Sequence, residues 1–148
     1  MNNDSILVIK LGALGDFVLA MGPFAAIRAH HASARITLLT TPPFAELARH
    51  SGHFDHILID PRGARWNLLA RLSLCQNLRA GGFTRVYDLQ TSGRSNRYYR
   101  CFRPPIPEWS GIAKGCSHPH DNPARNYMHT KERQREQLAI AGIEKVPG

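Results

Sequence analysis

The chain has 148 residues, 43% of them hydrophobic and 20% charged, which is enough for one domain with a sizeable core and too few for two ordinary ones. Nineteen lysines and arginines against 11 acidic residues leave a formal charge of +8, which favours anionic partners such as phosphates, nucleic acid or an acidic membrane surface without choosing among them. The three cysteines, Cys75, Cys101 and Cys116, form no CxxC pair, which argues against a zinc ribbon or redox motif and for a reducing cytoplasm.

The N-terminus is polar, and the longest uncharged stretch, Phe17 to Ile27, is far short of the roughly 20 residues that span a bilayer, so neither a signal peptide nor a transmembrane helix is expected. Ser5 to Leu11 is almost continuously apolar, which predicts a strand buried on both faces and hence a parallel sheet covered by helices. From Asp16 the period changes. Phe17, Ala20, Met21, Phe24 and Ile27 follow helical spacing, with Pro23 marking a kink or the start of the regular part.

Arg35–Thr40 returns to strand character, Pro42 and Pro43 open a short helix through Arg49, and His56–Asp60 makes a third strand. Trp66–Arg79 is amphipathic, with Trp66, Leu69, Leu72 and Leu78 on one side, and Gly81 and Gly82 stop it before a strand over Thr84–Gln90. A helix over Ser92–Cys101 and a fifth strand near Glu108–Ile112 follow, then a long polar loop, CSHPHDNPARNYMHT. Thr130 is expected to cap a last helix through Ala141, whose thin stripe of Leu138, Ile140 and Ala141 would gain from packing against something outside the chain. Trp66 and Phe83 read as core. The alternation predicts a Rossmann-like, doubly wound α/β domain whose ligands bind beyond the carboxyl ends of the strands, an edge shared by the loops after Leu11, Thr40, Asp60 and Gln90.

At the first of these loops, LGALGD is neither the GxGxxG of dinucleotide-binding domains nor a P-loop, which needs GK[ST]. Gly12 and Gly15 still permit a tight turn and close approach of a ligand to backbone N–H groups. Asp16 has two readings: an acid that favours the helix start, or a carboxylate placed to accept a proton from a substrate hydroxyl.

ILVIKLGALGDFVLAMGPFAAIR resembles the opening of glycosyltransferase family 9, the heptosyltransferase family. YDLQTSGRSNRYYR resembles that family's later strand-turn-helix segment, and HTKERQREQLAIAGI the helix before its interdomain crossing. The resemblance implies the N-terminal, acceptor-side half of a two-domain GT-B enzyme, with residues 129–148 a helix and linker toward a C-terminal donor-binding domain that this chain lacks. It implies inverting transfer of heptose from ADP-heptose to the lipopolysaccharide inner core, with Asp16 as general base, no cofactor, and work at the cytoplasmic face of the inner membrane in peripheral contact with it. The isolated chain is expected to be inactive.

Around Asp16, Lys10 is a candidate for acceptor phosphate or for pairing with Asp16, or else an exposed cation at a strand end. Gln90, Ser92 and Arg94 lie on the same predicted edge, and arginine suits bidentate recognition of the carboxylates and phosphates of an inner-core acceptor; the plainer reading is a helix cap with a solvated arginine. Arg97, Arg100 and Arg103, interleaved with Tyr98, Tyr99 and Phe102, could also resemble a nucleic-acid surface, but no nucleic-acid motif accompanies them and no nucleic-acid partner is expected. Cys116, His118, His120 and Asp121 have metal-competent side chains at a spacing that fits no standard zinc site; the resemblance implies instead an ordered loop, with Asn122 and Arg125 bonding near the cleft and His118 or His120 contacting acceptor. The alternative to an enzyme is a non-catalytic Rossmann-like module that binds a nucleotide or an anionic partner.

Overall fold

The apolar run near the start of the chain becomes β1 (Ser5–Ile9) in the computed structural model, which describes residues 4–61 and 68–147. Ile6 and Val8 enter the core on one face of the sheet while Leu7 and Ile9 enter the core on the other, the period-two alternation of a strand buried on both sides. β1 pairs in parallel with β2 (Arg35–Thr40) and β4 (Arg85–Asp88), with Ile6 opposite Ile36 and Arg85. β3 (His56–Ile59), β5 (Glu108–Gly111) and β6 (His118–Pro119) complete a six-stranded parallel sheet in the order β3-β2-β1-β4-β5-β6.

The helical pattern after Asp16 resolves into two helices, α1 (Leu14–Leu19) and α2 (Met21–His30). Pro23 lies in the first turn of α2, where the N–H it lacks has no intrahelical acceptor. Phe17, Phe24 and Ile27 pack with Ile36, Leu38 and Leu138 on this face. A 3-10 turn at Pro42–Phe44 leads into α3 (Ala45–Ser51).

α4 (Leu68–Ala80) covers the opposite face, with Leu78 buried as expected but Leu69 and Leu72 of the expected side turned outward. Leu74 and Leu78 are buried, whereas Leu69 is 80% and Leu72 52% exposed. Trp66 lies outside the described residues; Phe83 is half-buried against the same core. Cys75 of α4 and Cys101, just after α5 (Gly93–Tyr99), form a disulfide with their Cα atoms 5.1 Å apart, and Cys116 is a buried thiol. That pairing removes the cysteine argument for a reducing compartment; the two residues are 26 apart in sequence and no local motif joins them.

Three expectations about the C-terminal third change. The polar loop contains β6, made of only two residues and extended by the His120 N–H donating to the Gly111 carbonyl at 2.8 Å. α6 (Thr130–Ile140) is capped by the His129 side chain, which accepts from the Lys131 N–H at 3.1 Å, so Thr130 is its first residue and not its cap. The helix does pack within the domain, against α1, α2, β5 and β6, and it buries Gln134 and Gln137 with Leu138 while Ile140 stays 43% exposed. Ile143 is buried and Val146 packs on the α2 face; the Pro147 carbonyl lies against Gly22, which has no room there for a side chain. Among the described residues, no helix is long and apolar enough to cross a membrane.

Candidate active site

The turn after β1 is clamped by its neighbours. The Leu11 N–H donates to Gln90 Oε1 at 2.9 Å, and the Leu11 carbonyl accepts from Thr41 Oγ1 at 2.6 Å. Gly12 has φ +138°, and a side chain there would run into the Phe44 ring, so glycine is required by both conformation and space. Gly15 differs: a Cβ there would meet nothing, and the helix surface beside Asp16 is open. Ala13, the N-cap of α1, supplies no side-chain cap, and Asp16 sits exposed in the first turn.

Lys10 is not an exposed strand-end cation. It is 4% exposed and its Nζ donates to the Leu89 carbonyl at 3.3 Å. Burial lowers its pKa, opposed by the charges of Asp16 and Asp88 and reinforced by Arg133. Asp88, at the carboxyl end of β4, is fully buried. Its Oδ1 accepts from the N–H groups of Gln90 at 3.0 Å and Thr91 at 2.9 Å, and its Oδ2 has no partner. Burial pushes its pKa up to about 6, against the pull of those N–H groups, Ser95 and Lys10.

The other expected site residues reach the same edge with their polar atoms engaged. Gln90 holds the Leu11 N–H through Oε1. Ser92 caps α5 in a reciprocal box with Ser95. Arg94 donates to Asp60 Oδ2 from Nε at 3.2 Å and Nη2 at 2.7 Å, and Tyr98 donates to the same oxygen, so the pair ties the end of β3 to α5. His118 Nδ1 lies 2.9 Å from Ser117 Oγ. Both ring nitrogens of His120 have protein partners, Glu136 and Arg125. Arg97, Arg100 and Arg103 are exposed, but the aromatics between them turn inward: Tyr98 is buried, and Tyr99 and Phe102 stack edge-on against Trp109. Among the described residues, no group of three or more His, Cys, Asp or Glu side chains could hold a metal ion.

No protein-family model and no curated protein matches the sequence. Solved structures do match. The glycosyl transferase family 9 structure from Veillonella parvula DSM 2008 superposes with a TM-score of 0.78 at 17% identity, over 97% of this chain and 43% of that one. The E. coli heptosyltransferase WaaC with ADP-2-deoxy-2-fluoro heptose gives 0.73 at 15% identity, over 97% of this chain and 50% of that one. The E. coli ADP-heptose lps heptosyltransferase II gives 0.60 at 20% identity, over 74% of this chain and 31% of that one.

The chain has the fold of one half of a GT-B heptosyltransferase. It spans at most half the length of these structures, and at such identities the likeness is one of fold. Of the candidate residues, Asp16 and Lys10 stand out beside the glycine motif and Arg125 through the resemblance. Asp88, Asp60 and Arg133 were passed over. A signal for Asp88 existed, since an aspartate ending a buried strand just before a turn is placed to accept the turn's N–H groups.

Proposed function

We propose that this chain is the acceptor-side, N-terminal half of a heptosyltransferase-like enzyme, in which Asp16 is the general base for inverting transfer of heptose from ADP-heptose to the lipopolysaccharide inner core. The observation that carries the reading is the exposed Asp16 carboxylate on the carboxyl edge of the sheet, with open space over Gly15 beside it, in a fold shared with half of GT-B heptosyltransferases. The acceptor hydroxyl gives its proton to Asp16 as its oxygen forms the bond to the anomeric carbon, and the bond to ADP breaks on the opposite face. A donor-binding half holds ADP-heptose across the cleft. The Gln90 and Thr41 clamps on Leu11 fix the turn that carries Asp16, so the carboxylate meets the hydroxyl with little reorganisation.

The test joins this chain to a donor-binding half and compares Asp16 with Asp16→Asn. Turnover should fall by roughly a hundredfold or more. Because Asp16 is exposed, acceptor binding and the melting temperature should stay nearly unchanged. Unimpaired turnover would exclude Asp16 as the base. Tight binding of ADP by the chain with no binding of a lipid A core fragment would instead favour a nucleotide-binding module.

A further inference from the structure

Arg125 lies in the segment between β6 and α6, and one edge of its guanidinium is fixed. Its Nε donates to His120 Nδ1 at 3.2 Å; His120 Nε2 lies 2.9 Å from Glu136 Oε1, which also accepts from Asn122 Nδ2 at 2.9 Å. With Nδ1 accepting, Nε2 carries the proton, and the Glu136 carboxylate sets that tautomer. The His120 side chain is completely buried, so the ring has no alternative partner in solvent. Arg125 Nη2 is buried and has no partner.

α6 runs antiparallel to β4. The Ala141 carbonyl accepts from Arg85 at the start of that strand, and Gln137 donates to the Asp88 carbonyl at its end, so Arg133 and Gln134 lie past the carboxyl edge. The Arg133 charge lowers the pKa of both Lys10 and Arg125, and the Asp88 charge raises both. Gln134 is 2% exposed, and neither of its amide atoms has a partner. Cations that repel one another beside spare buried polar atoms are stabilised by an anion that accepts from them.

We propose that Arg125 is an anion-binding residue, positioned by the His120–Glu136 pair and acting with Arg133 and Lys10 on a carboxylate or phosphate that enters the cleft edge near Asp16. The inference rests on the acceptor-side reading for the source of that group, not for the site itself.

The 148-residue chain, titrated with inorganic phosphate and separately with acetate and followed by NMR, tests the site and tells phosphate from carboxylate. Arg125→Gln should weaken binding of the preferred anion roughly tenfold or more. His120→Asn keeps an acceptor at the Nδ1 position and should stay within about threefold of the parent, whereas His120→Gln places its amide at the Nε2 position and should lose nearly as much as Arg125→Gln. A merely structural histidine would make the two His120 variants alike. Arg125→Lys, which keeps charge but not the fork, should lose part of the affinity and serves if Arg125→Gln fails to fold. Equal binding by the two His120 variants, unchanged binding by Arg125→Gln, or no anion binding by the parent overturns the proposal. A lipid A core fragment separates the two readings. If phosphate binding depends on Arg125 but the fragment does not bind, the acceptor reading fails and the anion site stands. If parent and Arg125→Gln bind both phosphate and the fragment equally, the anion site fails and the acceptor reading stands.

Discussion

The two ends of the same sheet are both rich in charge, yet they are built differently. At the amino edge, Arg85 is bonded to Glu108, Tyr87 and the Ala141 carbonyl, and Arg28 to Asp55 and the carbonyls of His31, Ala32 and Ala34. His31 Nε2 meets the Tyr87 hydroxyl at 2.7 Å. At the carboxyl edge, Thr40 Oγ1, Asp88 Oδ2, Arg125 Nη2 and both amide atoms of Gln134 are buried without a partner. An unpaired buried polar atom typically costs about 1–3 kcal/mol. The first edge pairs its charges within the fold, and the second leaves buried polar atoms without a partner among the described residues.

The largest test of this contrast is titration. Asp88 at the carboxyl edge has its pKa raised by burial from 3.8 to about 6, so the folded state holds that proton more tightly, and stability falls by about 2 kcal/mol as pH rises from 4 to 6. His31 at the amino edge is lowered from 6.5 to about 4, chiefly by burial with help from His30 and Arg85; the folded state holds that proton less tightly, and stability rises by about 3 kcal/mol between pH 4 and 6.5. The two slopes oppose each other. Denaturant unfolding of the parent should vary little between pH 4 and 6, Asp88→Asn should grow more stable over that range, and His31→Gln should grow less stable. Parallel profiles for the three proteins would contradict the assignment.

A smaller effect separates two neighbouring glutamines. Gln137 Nε2 serves the Asp88 carbonyl at 2.8 Å and the Ser110 carbonyl and hydroxyl at 3.2 Å, so Gln137→Leu should destabilise by about 2 kcal/mol. Gln134→Leu removes two unpartnered atoms and should stabilise the free chain by about 1 kcal/mol. Equal losses in thermal melts would mean that Gln134 is part of the framework. Smallest is Gly15→Ala, where the new Cβ meets open space and helix propensity favours alanine by about 0.5–1 kcal/mol. That variant should melt slightly higher yet bind the lipid A core fragment less well, because it narrows the approach to Asp16.

Much of the fold was readable because β1, β2 and the helices over them carry long apolar periods. What escaped reading has physical causes. β6 is two residues long, includes a proline, and is held by backbone pairing that leaves no pattern. α6 is anchored by Gln137, and both it and Gln134 look solvated in a sequence but are buried. On α4, Leu78 is buried as its pattern suggested, whereas Leu69 and Leu72 are exposed and Leu74 takes the core position beside it. Around the candidate site, Asp16 and Lys10 stand next to the glycine turn in sequence, whereas the burial of Asp88 and the unpartnered Arg125 Nη2 depend on separate segments meeting, and spacing along the chain says nothing about that.

The central proposal is that the acceptor meets the chain at the carboxyl edge of the sheet. The most direct measurement is an amide chemical-shift map of the 148-residue chain titrated with a lipid A core fragment. The account predicts shifts at Lys10, Gly15, Asp16 and Arg125, with Arg28, His31 and Arg85 unmoved. Shifts centred on His31 and Arg85, with Asp16 unmoved, would contradict it.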